Sequence, residues 1–208
     1  MTIDIKKCDL KEDYFHFTNR KNIDSILNNG LIPSVGVASE IVADEANVSV
    51  SKGGKGVMGI INSFIYKFEK ELKTSQIPEE YKKYFKEISN FEEYNLISKE
   101  NACKAMIRKL KDEVYFRVKL NESDLEQAKT GGFTGYDVKL HNGIDKSKLD
   151  VITDSNNKVL SAYEVAEYLY EKVKNIEVFR EFHEDFFYMF EMKEQNNIKD
   201  NDFNEVER

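Results

Sequence analysis

The stretch YFHFTNRKNIDSILNNGLIP, running from Tyr14 to Pro33, decides how the rest of the chain is read. Tyr14, His16 and Thr18 alternate with Phe15 and Phe17, the two-residue period of a short strand. Asn19 stands where a helix cap belongs, its side-chain oxygen able to accept the first unsatisfied backbone N–H groups. Ile23, Ile26 and Leu27 then repeat at helical spacing as one apolar stripe. Gly30 supplies a left-handed stop, and Pro33 forbids a restart nearby. A strand thus carries His16 and Thr18 to its end, and a short helix fixes that end in place.

A second strand-to-helix passage follows. Val48 to Lys52 alternates again and runs into Gly53-Gly54-Lys55-Gly56, then into an apolar helix through Phe68. Glycines let the backbone approach a ligand closely, and a helix N-terminus offers unsatisfied N–H groups to an anion. The spacing is not that of a phosphate-binding Walker loop. Two readings stand for this turn: amides for a pyrophosphate, or glycines that let a strand and a helix pack tightly.

His16-Phe17-Thr18, then Asn22, Ile26 and Gly30-Leu31, resembles the opening of the ADP-ribosyltransferase superfamily. It looks in particular like the opening of the DarT-type DNA ADP-ribosyltransferases and of bacterial proteins related to them. The resemblance covers about twenty residues. It implies that His16 holds the ribose of NAD and that the Thr18 hydroxyl supports the nicotinamide half. The superfamily's second motif is also a strand ending in Ser or Tyr before a helix. Ser51 takes that place here, with Lys52 and Gly53 beside it, and Val50-Ser51-Lys52-Gly53 fits the DarT-related proteins better than DarT itself. A structural alternative stands for His16 and Thr18: a buried strand-end histidine with a packing hydroxyl.

ADP-ribosyl transfer breaks the nicotinamide–ribose bond through a cation-like sugar, which a carboxylate stabilises. The family's Glu on a late strand has no motif-level counterpart in this chain. Asp137, on a late strand and on the same alternating side as Lys139, is the candidate, with His141 at the strand's end. Glu164 is the other tempting carboxylate, but Ser161-Ala162-Tyr163-Glu164 spells a capping box, which accounts for it. Glu113 reads as an exposed residue preceding its strand. The RNA 2′-phosphotransferase branch is disfavoured, since Arg20, Arg108, Arg117 and Arg180 match none of its Arg-rich pattern.

Composition narrows the classes further. The 208 residues carry a formal charge of −7, which argues against an extended electrostatic grip on nucleic acid. The 14 Phe and 11 Tyr suffice for one aromatic and aliphatic core. Cys8 and Cys103 stand far apart, so neither a disulfide framework nor a zinc site is indicated. His16, His141 and His183 have no metal-ligand spacing, and His183, Glu184 and Asp185 would point in different directions from a helix. No apolar run reaches membrane-spanning length and the first residues lack a signal pattern, so a cytoplasmic protein is expected.

The expected fold class is α+β: a split, mostly antiparallel, ADP-ribosyltransferase-like sheet of strands near 14–18, 48–52, 114–120, 136–141 and 149–153. Residues 1–13 read as an edge strand or lead-in. Helices at 20–29 and 56–70 pack against the sheet, a helical insertion occupies 78–111, and helices fill 161–190. Residues 1–193 read as one domain and 194–208 as a disordered acidic tail. Cys103 reads as a core thiol. One pocket is expected to gather His16, Thr18, Ser51 and Lys52 at the start of the glycine-led helix. Two functions follow. One is an NAD-dependent ADP-ribosyltransferase-like enzyme of a toxin or defence system. The other is a non-catalytic module of the same fold, binding a small-molecule nucleotide, or a protein partner through the aromatic helix at 178–190.

Overall fold

A computed structural model describes residues 1–34, 46–92, 95–126, 128–130 and 137–196, with the backbone alone at 129–130 and 193–196. Tyr136, the first residue of the strand expected at 136–141, lies outside these residues. So does the tail beyond Asn196. The fold is α+β, as the sequence predicts. Its strands are β1 (Thr2–Asp4), β2 (Tyr14–Asn19), β3 (Val48–Lys52), β4 (Glu113–Val118), β5 (Lys129–Thr130), β6 (Asp137–Leu140) and β7 (Leu149–Thr153). They form one open seven-stranded sheet in the order β1-β7-β4-β2-β3-β6-β5. Only the β1–β7 pairing is parallel among the six described.

The helices are α1 (Ile23–Asn29), α2 (Gly53–Tyr66), α3 (Glu79–Lys82), α4 (Lys99–Asp112), α5 (Glu122–Glu126), α6 (Ala162–Val173), α7 (Glu177–Phe182) and α8 (Glu184–Asn196). Helix α8 takes in three residues of the expected tail. The chain gathers into two compact units where the sequence reads as one domain. The first comprises residues 1–60 and 111–166, the second residues 61–110 and those from Glu167 onward.

In the first unit the strand pleat separates two faces. Val48, Val50, Val114, Phe116, Val138 and Val151 line one of them and pack with Ile26 and Leu31. Asn19 caps a 3₁₀ turn at Arg20–Asn22, accepting from the Lys21 amide at 3.1 Å, and α1 follows directly. Gly30 ends α1 with φ of 79°, and a Cβ there would stand 2.3 Å from the Ile144 carbonyl oxygen. That closeness lets Leu31 and Ile144 exchange backbone hydrogen bonds of 2.9 and 2.8 Å, tying the end of α1 to the segment after β6. On the opposite face Phe15, Tyr115 and Ile152 are buried. Asp150, buried as well, receives Arg117 Nε at 3.2 Å and Lys119 Nζ at 2.9 Å.

The second unit has an aromatic core. Tyr170, Phe186, Phe187 and Phe190 pack as ring pairs with centroids 4.8 to 6.5 Å apart. Asn62 caps α8 from far along the chain, its side-chain oxygen accepting the Asp185 and Phe186 amides at 2.8 and 3.2 Å. Asp185 itself pairs with Lys99 at 2.6 Å, so both its amide and its carboxylate serve the packing. Burial pushes the Cys103 thiol up to about 12, the state of an inert core cysteine.

Candidate functional site

Strand β2 pairs with β4 along its whole length, Tyr14 to Asn19. With β3 it pairs only at Tyr14↔Lys52 and Phe15↔Ser51. Beyond Phe15 the β2–β3 ladder stops, and this is where the sheet splits. The His16 side chain crosses the gap instead of a backbone bond: its Nδ1 lies 2.9 Å from the Ser49 carbonyl oxygen. A carbonyl only accepts, so Nδ1 carries the proton, and in the neutral ring Nε2 is left as an acceptor. Burial pushes the imidazole below its ordinary range; the bond to Ser49 acts the other way but is the smaller influence. His16 therefore stands neutral near pH 7.

Thr18 lies two residues on, on the same side of β2. Asn22 Nδ2 donates to its Oγ1 at 3.1 Å, leaving the hydroxyl proton for another acceptor. The 3₁₀ turn after Asn19 is what folds Asn22 back over the strand end. The role of Asn22 was visible in the sequence only as a motif position. The Ser49 carbonyl was not legible at all, because its part in the site is played by backbone.

Cross-strand register sorts the remaining candidates. Lys52 pairs with Tyr14 and shares the His16 side, where its Nζ lies 6.0 Å from the Tyr14 ring centre. It also pairs with Glu12 at 3.0 Å, whose hydrogen bond raises the Lys52 pKa. Ser51 pairs with Phe15 and so points to the other side. The expectation of Ser51 beside His16 and Thr18 is corrected on this point, since the period of two sends residues 15 and 16 to opposite faces. Ser51 instead meets the late strand: Asp137 is its partner in register, and Ser51 Oγ lies 3.5 Å from Asp137 Oδ1, long for a hydroxyl donor. His141 follows β6 immediately, and its Nε2 is buried without a hydrogen-bond partner among the described residues.

The glycine turn is a packing device. The Gly53 amide donates to the Asp13 carbonyl and the Gly54 amide to that of Leu10, both at 2.8 Å. Gly53 has φ of 64°, and a Cβ on it would meet the Leu10 and Lys11 carbonyl oxygens at 2.8 and 3.0 Å. The Gly53 and Gly54 amides are thus taken by the turn at residues 10–13 and are not open to a pyrophosphate, and Gly53 is needed for that close approach. Cys8, just before this turn, is pushed up to about 12 by burial first and the Asp13 charge second, so it is no thiolate nucleophile.

Glu164 is accounted for by its helix cap. Glu164 Oε2 accepts the Ser161 amide at 2.7 Å while its own amide donates to Ser161 Oγ at 3.2 Å. This is the reciprocal capping box read from the sequence. Burial works to raise the Glu164 pKa, but the Ser161 bonds and the Lys158 ammonium at 3.0 Å outweigh it and hold the group below its ordinary range. Glu113 is the first residue of β4 and buried, not exposed as expected, because β4 begins one residue earlier than its β-branched run. Among the described residues no three His, Cys, Asp or Glu side chains stand together as a metal site, and no helix is long and apolar enough to cross a membrane. Compared with family models, with curated proteins and with solved structures, the chain has no match.

Proposed function

We propose that the chain is an ADP-ribosyltransferase-like protein that binds NAD where β2 parts from β3. The observation that carries this reading is the His16 imidazole spanning the split to the Ser49 carbonyl. A neutral imidazole fixed through Nδ1 presents Nε2 as an acceptor for a ribose hydroxyl, and the Thr18 hydroxyl is oriented by Asn22 to donate nearby. The resemblance of His16-Phe17-Thr18 to the superfamily's first motif assigns the same two residues to the same ligand. In this reading Asp137 is the carboxylate of the late strand, opposite Ser51 in register, and its charge stabilises the positive charge that develops on the sugar as nicotinamide leaves.

Register favours a second reading beside it. Asp137 and Ser51 share the Phe15 side of the sheet, away from His16, and Glu164 is engaged in its helix cap. A nucleotide-binding module without transfer chemistry fits that division. Nicotinamide release from NAD separates the two. The enzyme reading expects slow release by the wild type, lowered at least about tenfold in Asp137→Asn with NAD affinity unchanged, since the charge matters in the transition state. NAD binding without release by the wild type selects the binding module instead.

A further inference from the structure

Helix α7 in the second unit contributes no buried residue. Val178 is 51% exposed and Phe182 73%, with Ile176 just ahead of the helix at 44%. Val178 and Phe182 are four residues apart and so lie on one side of the helix. Glu177 and Glu181 repeat the same spacing beside them and border the apolar stripe with negative charge. Arg180, the cation of this helix, lies on the far side from Val178 and Phe182: Glu191 of α8 binds its guanidinium, the Glu177 charge also acts on it, and it lies 5.2 Å from the Phe187 ring centre. These contacts fix α7 against α8 while Val178 and Phe182 face outward together on one side.

The charge of the border selects the occupant. Anionic lipid and nucleic acid would be repelled, and a second copy of this face would set acid against acid. We propose that α7 docks a basic amphipathic helix of a partner protein. The partner's apolar side covers Val178 and Phe182, and its Lys or Arg side chains meet Glu177 and Glu181. This proposal does not rest on the NAD reading.

The chain has no Trp, so a Trp-bearing peptide supplies all of the indole emission in a mixture. The probe is a helix of about 18 residues with Leu and one Trp on one side and Lys on the other. Full-length protein is expected to shift its emission to the blue. Phe182→Ser should weaken binding about tenfold or more, as truncation of an aromatic anchor does. Glu177→Gln with Glu181→Gln should weaken it and flatten its salt dependence. All three positions are exposed, so the melting temperature should stay constant. A shift unchanged by Phe182→Ser, or none with the full chain, would overturn the proposal. So would equal binding of a peptide with Glu in place of Lys. Binding that appears only after removal of residues 197–208 would make the chain's own tail the occupant. Sedimentation showing a dimer that Phe182→Ser dissolves would make it a second copy.

Discussion

At the scale of single residues, His16 spans the gap between β2 and β3 to the Ser49 carbonyl. His16→Ala removes one hydrogen bond to a ligand and should weaken NAD binding by about 1 to 2 kcal/mol, read by calorimetry. Its titration gives a second check. Because the folded pKa is depressed, the unfolded chain takes up the proton first as pH falls. Stability should therefore drop as pH goes below the ordinary imidazole value of 6.5, and level off below the folded value. His16→Gln should remove that slope from a denaturant titration repeated across pH. Glu164 behaves in the opposite sense to a catalytic acid. Glu164→Gln should cost about 1 kcal/mol of stability near neutral pH through the weakened cap, with no effect on NAD turnover. Since the folded Glu164 pKa is depressed, its contribution is present above the ordinary value of 4.5 and lost as pH falls through the folded one. Loss of turnover at an unchanged melting temperature would make Glu164 the catalytic carboxylate.

At the scale of elements, the close approach at the end of α1 makes a sharp prediction. Gly30→Ala puts a methyl group against the Ile144 carbonyl at a positive φ, and should cost more than about 1 kcal/mol in urea unfolding. An unchanged midpoint would mean that the Leu31–Ile144 link yields without cost. Strands β2, β3, β4, β6 and β7 were legible within one or two residues, because alternation and β-branched content mark a half-buried pleat directly. The same holds for Asn19, Gly30 and the Ser161–Glu164 box, whose chemistry is local. What local pattern could not give is which strand neighbours which. The β2–β3 register that sends Ser51 away from His16 is a long-range fact. So are the Asp13 and Leu10 carbonyls on the glycine turn and the cap that Asn62 provides for α8. The buried Glu113 was missed because a charged residue at a strand end reads as solvated unless its cross-strand neighbour, Asn19, is known.

At the scale of the molecule, the α+β sheet splits beside one strand-end histidine, where the proposed nucleotide would bind. The acidic balance of −7 is consistent with a small-molecule ligand in a local pocket and with a basic protein partner at α7. A ligand that binds only the folded chain must also stabilise it, so saturating NAD should raise the melting temperature by mass action, and less so in His16→Ala. The most direct measurement is calorimetric titration of NAD into the wild type and into His16→Ala at the same pH. Binding by the wild type is expected, with affinity lowered about 5- to 30-fold in His16→Ala. No binding by the folded wild type, or equal binding by the two, would contradict it.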